Sequence, residues 1–125
     1  MYIFYNPNPL NRRSGDCTIR ALTKALNISW EEAYIRLCIH GGILCDMPSS
    51  NAVFNSFLQK NGFKKENIDD TCQSCYTIND FCDEYHEGTY VLATGSHVVC
   101  VENGNIFDTW PSGEEVAILE FRKEE

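Results

Sequence analysis

Cys17, His97 and Asp108 are the residues whose types and settings suit nucleophilic chemistry. Cys17 lies in the stretch RSGDCTIRAL, where a turn-like Ser14-Gly15-Asp16 leads straight into a helical pattern. A thiol at a helix start meets unpaired backbone N–H groups and the positive end of the macrodipole, and both favour the thiolate. It becomes a nucleophile only when a base stands beside it. Without one it is a small apolar residue at the start of a helix. Of the three histidines, His40 precedes Gly41-Gly42, where a cation suits a helix end, and His86 lies among Asp83, Glu84 and Glu87 as a solvated side chain. His97 stands in the apolar run Ser96-His97-Val98-Val99-Cys100-Val101, where an imidazole has little structural reason to be. It is either a satisfied core or edge histidine or the missing base.

A turn signal decides what His97 faces. Asn103-Gly104 between two apolar runs predicts a two-residue hairpin, which sets Glu102 opposite Asn105, Val101 opposite Ile106 and Cys100 opposite Phe107. Continued outward, the same register sets Val99 opposite Asp108 and His97 opposite Trp110. Alternation then places His97, Val99 and Val101 on one face with Ile106, Asp108 and Trp110. Asp108 becomes a diagonal neighbour of His97 at roughly 7–8 Å between backbones, within side-chain reach. Asn105 points to the other face, and Trp110 is placed to shield the His–Asp contact from water. Cys, His and Asp in these settings are the nucleophile, base and orienter of thiol acyl transfer.

The elements that must hold these residues divide the chain in two. Tyr2 to Tyr5 reads as a short strand or a tucked arm. A first helix runs from Asp16 to about Leu26, with Ile19, Leu22, Ala25 and Leu26 on one stripe. Ser29 followed by Glu32 is a capping box, so a second helix runs from Trp30 to about His40 and stops at Gly41-Gly42. A third covers Ser50 to Lys60, and Thr77 to Asp80 caps a short fourth that Gly88 closes. The period then changes to two. Strands are expected over Thr89–Thr94, Ser96–Glu102, Asn105–Trp110 and Val116–Arg122. Helices first and antiparallel strands after predict an α+β class, as one domain over residues 1–125.

Composition limits the partners. The 125 residues include ten basic and eighteen acidic side chains, a formal net charge of −8 that repels phosphate backbones, so no nucleic-acid partner is expected. No apolar run reaches the length of a membrane span, and the first residues lack the pattern of a signal peptide. Seven cysteines cannot all pair within one chain, and with no export signal the expectation is a cytoplasmic protein with free thiols, several of them in the core. Among these, Cys72, Cys75, Cys82 and His86 follow the spacing C-x2-C-x6-C-x3-H, which could hold a structural zinc. That spacing matches no common zinc-finger pattern, so no metal is assigned. A zinc-stabilised binding module stays as the alternative to an enzyme.

The order of the three residues and two short motifs resemble the papain-like cysteine peptidases, in their compact bacterial and phage form, including the NlpC/P60-like type. Ser96-His97-Val98-Val99 is similar to the family's His-Ala-Val strand, and Asp108-Thr109-Trp110 to its Asn-Ser-Trp. The resemblance implies a papain-like α+β fold and a cysteine peptidase or amidase acting on a peptide or amide bond, with no cofactor. It implies Cys17 as nucleophile, His97 as base, Asp108 as orienter and Trp110 as their cover. The family's oxyanion-hole Gln lies six residues before the nucleophile, where this chain has Asn11; Asn8 or the surroundings of Asp16 could serve instead. Thr18 stands where the family usually carries Trp, and the Cys-Gly-Ser-Cys context is absent.

Overall fold

The computed structural model describes residues 1–68 and 76–123. Over these the chain is α+β, with four helices and a six-stranded mixed sheet. In chain order the elements are β1 (Tyr2–Phe4), α1 (Cys17–Leu26), α2 (Trp30–Ile43), α3 (Asn51–Lys60), β2 (Phe63–Asn67), α4 (Ile78–Glu84), β3 (Thr89–Ala93), β4 (Val98–Glu102), β5 (Asn105–Asp108) and β6 (Leu119–Lys123). The sheet order is β1-β5-β4-β3-β6-β2. No helix among the described residues is long and apolar enough to cross a membrane.

The hairpin has the expected register next to the turn, but β5 ends at Asp108 rather than Trp110 and its pairing with β4 stops at Cys100–Phe107, short of the expected Val99–Asp108 and His97–Trp110 pairs. Asn103 and Gly104 both take positive φ, and Cys100, Val101 and Glu102 pair with Phe107, Ile106 and Asn105. Alternation along these strands divides the core into two layers. Val98 and Cys100 join Val91 and Phe121 under α1, α2 and α3, where Leu22, Leu37, Phe54 and Leu58 are buried. Val99, Val101 and Ile106 pack on the opposite face with Ile78, Phe81 and Cys82 of α4. The arm at the start of the chain is a strand, and it runs parallel to β5, with Phe4 beside Asp108.

The structure differs from expectation at several ends. Helix α2 does not stop at Gly41-Gly42 but runs through them to Ile43. A Cβ on Gly41 would lie 3.0 Å from the Asp46 carbonyl oxygen, so this glycine admits the returning loop rather than ending the helix. His40 is therefore interior, buried, with its Nε2 2.9 Å from the Ser56 hydroxyl and its ring against Phe57. Strand β2 has no apolar alternation to announce it, since Phe63 is its one buried residue and Lys64, Lys65 and Glu66 mark a charged sheet edge. Strand β4 begins at Val98 rather than Ser96, because Thr94 bonds across the preceding turn. Val116 makes an isolated bridge with Thr77, and β6 starts only at Leu119.

Candidate active site

Three local structures bring Cys17, His97 and Asp108 to the end of the sheet where β4 begins and β5 stops. Cys17 is the first residue of α1. His97 closes the turn between β3 and β4. In that turn the Thr94 backbone N–H donates to the His97 carbonyl at 2.8 Å, and the His97 N–H donates to the Thr94 hydroxyl at 3.0 Å. Thr94 is buried, so the turn is held from inside. Asp108 ends β5, where the Tyr5 N–H donates to its carbonyl at 2.8 Å.

The imidazole lies between the other two groups. His97 Nε2 is 2.7 Å from Asp108 Oδ2, and the ring and the Cys17 thiol line the same cavity, close enough for each to shift the other's ionisation. Trp110 covers one side of the imidazole, its ring centroid 5.2 Å away at 42°, while remaining partly exposed itself.

Asp108 is fully buried and each of its oxygens has two donors. Oδ1 accepts from Arg20 Nη2 at 2.9 Å and from the Thr109 N–H at 2.7 Å. Oδ2 accepts from His97 and, at 2.6 Å, from the Ser112 hydroxyl. Arg20 is buried as well, and its Nη1 donates to Asp16 Oδ1 at 2.7 Å. Asp16 Oδ2 in turn accepts from Trp30 Nε1 at 2.9 Å. The polar cluster thus extends from the thiol through His97, Asp108 and Arg20 to Asp16 and Trp30.

These contacts move the ionisation of all three residues. Burial pushes the Cys17 thiol up, but the His97 and Val98 hydrogen bonds and the charges of His97 and Arg20 outweigh it and bring the thiol below its ordinary value. Burial pulls His97 down, yet its bonds to Asp108 and Cys17 prevail and raise it to about 9. Burial pushes the Asp108 carboxyl up, and donation from His97, Ser112 and the Thr109 N–H holds it below the usual range. The arrangement favours a thiolate beside an imidazolium, with a carboxylate behind. A cavity of about 340 Å³ opens onto Cys17 and His97, and Ser49, Asn51, Asn55 and Ser96 line it with neutral polar groups.

His97, Asp108 and Trp110 therefore meet, as the hairpin parity predicts, and the packing of α1 brings Cys17 to them. Asn11 does not join them: it is exposed, at positive φ, with its N–H on the Asn8 carbonyl, and it does not line this cavity. Arg20 and Ser112 were not legible as site residues. The Asp16–Arg20 spacing of four on a helix was the available signal for the first; nothing in the sequence marked Ser112. Cys82 is buried and His86 exposed, while Cys72 and Cys75 lie outside the described residues. Among the described residues no group of three or more His, Cys, Asp or Glu side chains could hold a metal ion. Of the remaining described cysteines, Cys100 is buried and Cys38 and Cys45 are exposed. Comparison with models of protein families, with curated proteins and with solved structures returns no match for this chain.

Proposed function

We propose that this protein is a thiol hydrolase with a compact papain-like arrangement, cleaving a peptide or related amide bond through Cys17, His97 and Asp108. The observation that carries the reading is one ring with two neighbours: His97 bonds the buried Asp108 carboxylate at 2.7 Å and shares a cavity wall with the Cys17 thiol, whose ionisation it favours. A buried carboxylate on one side and a half-buried thiol at the mouth of a cavity on the other are the surroundings of a general base rather than of a packed core histidine.

The cycle uses groups on the chain and one water. The Cys17 thiolate attacks the carbonyl carbon, an S–C bond forms, and the carbonyl π electrons move onto oxygen. The Cys17 backbone N–H, at a helix start without a side-chain cap, is the donor assigned to that oxyanion. The C–N bond then breaks as the His97 imidazolium gives its proton to the departing nitrogen. Water attacks the thioester with neutral His97 taking its proton, and collapse releases the carboxylic acid product and the Cys17 thiolate. Asp108 keeps the imidazole oriented and stabilises its charged form throughout.

The test is selective alkylation. Limiting iodoacetamide near pH 7, followed by peptide mapping, labels Cys17 ahead of exposed Cys38 and Cys45, and His97→Ala lowers the Cys17 rate roughly tenfold or more as its thiolate fraction returns to that of an ordinary cysteine. Labelling that favours an exposed cysteine over Cys17, or that ignores His97→Ala, overturns the proposal. Hydrolysis of a neutral peptide library by the wild type and not by Cys17→Ala then identifies the bond.

A further inference from the structure

We propose that Arg20 is a positioning residue of this site: its guanidinium joins the helix that carries Cys17 to the carboxylate that orients His97. The inference rests on the reading that Cys17, His97 and Asp108 act together. Arg20 lies on α1 three residues beyond Cys17, so one rigid helix presents both the thiol and the clamp. Its two Nη atoms divide between Asp16 at 2.7 Å and Asp108 at 2.9 Å. Asp16 is itself held by the Trp30 indole, so the guanidinium is anchored from behind as well as in front. The clamp takes Oδ1 of Asp108 and leaves Oδ2 for His97.

A buried arginine paired with two buried carboxylates is a poor way to gain stability alone, since apolar residues of similar volume commonly do as well or better. Here the pairing has a chemical consequence. With a thiolate at Cys17 and an imidazolium at His97, the cluster of Asp16, Arg20, Asp108, His97 and Cys17 carries one net negative charge. Neutralising Arg20 makes it two, and the added negative field opposes formation of the thiolate. Loss of the clamp also frees Asp108 to turn from His97, which opposes the thiolate again. Both effects have the same sign.

The experiment is the pH profile of Cys17 alkylation in the full chain, with thermal melts run beside it. In Arg20→Gln the rising limb moves to higher pH by about one unit, so the rate low on that limb falls about tenfold. Arg20→Lys keeps the charge but cannot bridge two carboxylates, and its limb moves upward by a smaller amount. A merely structural arginine would lower the melting temperature and leave the limb in place, and that result in folded Arg20→Gln overturns the proposal. Should Arg20→Gln fail to fold, Arg20→Lys decides: an upward limb supports the clamp and an unmoved one overturns it. If wild-type Cys17 has no selective labelling, the triad reading itself has failed; if it is selective and His97-dependent but indifferent to Arg20, only this inference has.

Discussion

Helices α1 and α4 each begin after an oxygen-bearing side chain, Asp16 in one and Thr77 in the other. Thr77 accepts from the Asp80 N–H at 3.2 Å while the Asp80 carboxylate accepts from the Thr77 N–H at 3.0 Å, a complete capping box. Ser29 and Ser50 likewise cap α2 and α3. Asp16 makes no side-chain cap; its carboxylate turns away to Arg20 and Trp30. The first turn of α1 carries no acidic residue either, so its positive end is left uncompensated next to Cys17. One helix start is finished for stability. The other has its orphan N–H groups left at a thiol, and the carboxylate that would have capped them is used to hold the site's arginine.

The largest effect expected at the α1 end is from Asp108→Ala. It leaves Arg20 buried with one partner removed and His97 unoriented, so unfolding free energy falls by about 3–5 kcal/mol and Cys17 alkylation slows in whatever remains folded. Asp108→Asn is milder on both counts, because an amide oxygen still accepts from His97. Denaturant unfolding and alkylation rates measure the two. A stable, fully reactive Asp108→Ala would remove the distinction between the two helix starts.

A smaller effect separates the thiol from the imidazole by pH. His97 is raised from 6.5 to about 9, so its stabilisation is complete below 6.5 and is lost as pH rises toward about 9. The lowered Cys17 thiol works oppositely, gaining stabilisation as pH rises from its depressed value to its ordinary one. In wild type the two slopes oppose one another and stability changes little across this window. In Cys17→Ser the histidine slope remains alone, over a window narrowed by loss of the thiol's share of the upward shift, and stability declines with rising pH by roughly 1.4 kcal/mol per unit at most. Chemical denaturation at a series of pH values reads the slope, and a decline equally steep in wild type would show that the thiol is not ionised beside the ring.

A pair of exchanges at the two helix starts separates a capping role from a site role. Asp16→Ser installs a favoured capping residue, yet it strips Arg20 and Trp30 of their acceptor and should destabilise by about 1–3 kcal/mol. Thr77→Ala removes a true cap, costs about 1 kcal/mol, and leaves Cys17 alkylation at the wild-type rate. If Asp16→Ser instead stabilises the protein, Asp16 is an unoptimised cap and not part of the site.

Much of the site was legible before any fold. Asn103-Gly104 specified the turn, the turn specified the register, and a side-chain period of two then placed His97 and Asp108 on one face. The two capping signals before α2 and α4 were equally local, and each is occupied as a cap. Misreadings arose where a residue answers to a distant neighbour. Gly41 looks like a helix end until the Asp46 carbonyl is set against it, and Phe63–Asn67, where no element was expected, becomes a strand by pairing with β6. Asn11 sits at a suggestive distance along the chain, but a turn carries it to the surface.

By itself, then, the sequence determined the α+β class, the pairing of His97 with Asp108, and the helix start at Cys17, because each follows from local turn chemistry and periodicity. It did not determine that these would meet. Parity assigns His97 and Asp108 to the face with Val99 and Ile106, whereas α1 packs on the opposite face, against Val98 and Cys100. The two sides meet only because His97 and Asp108 stand at strand ends, where the first turn of α1 reaches the end of the sheet and Arg20 bonds Asp108. Periodicity reports which face of an element is buried, never which partner buries it or how far along the sheet that partner lies. Tertiary packing alone supplied that offset, and with it the acceptor that makes a buried arginine possible.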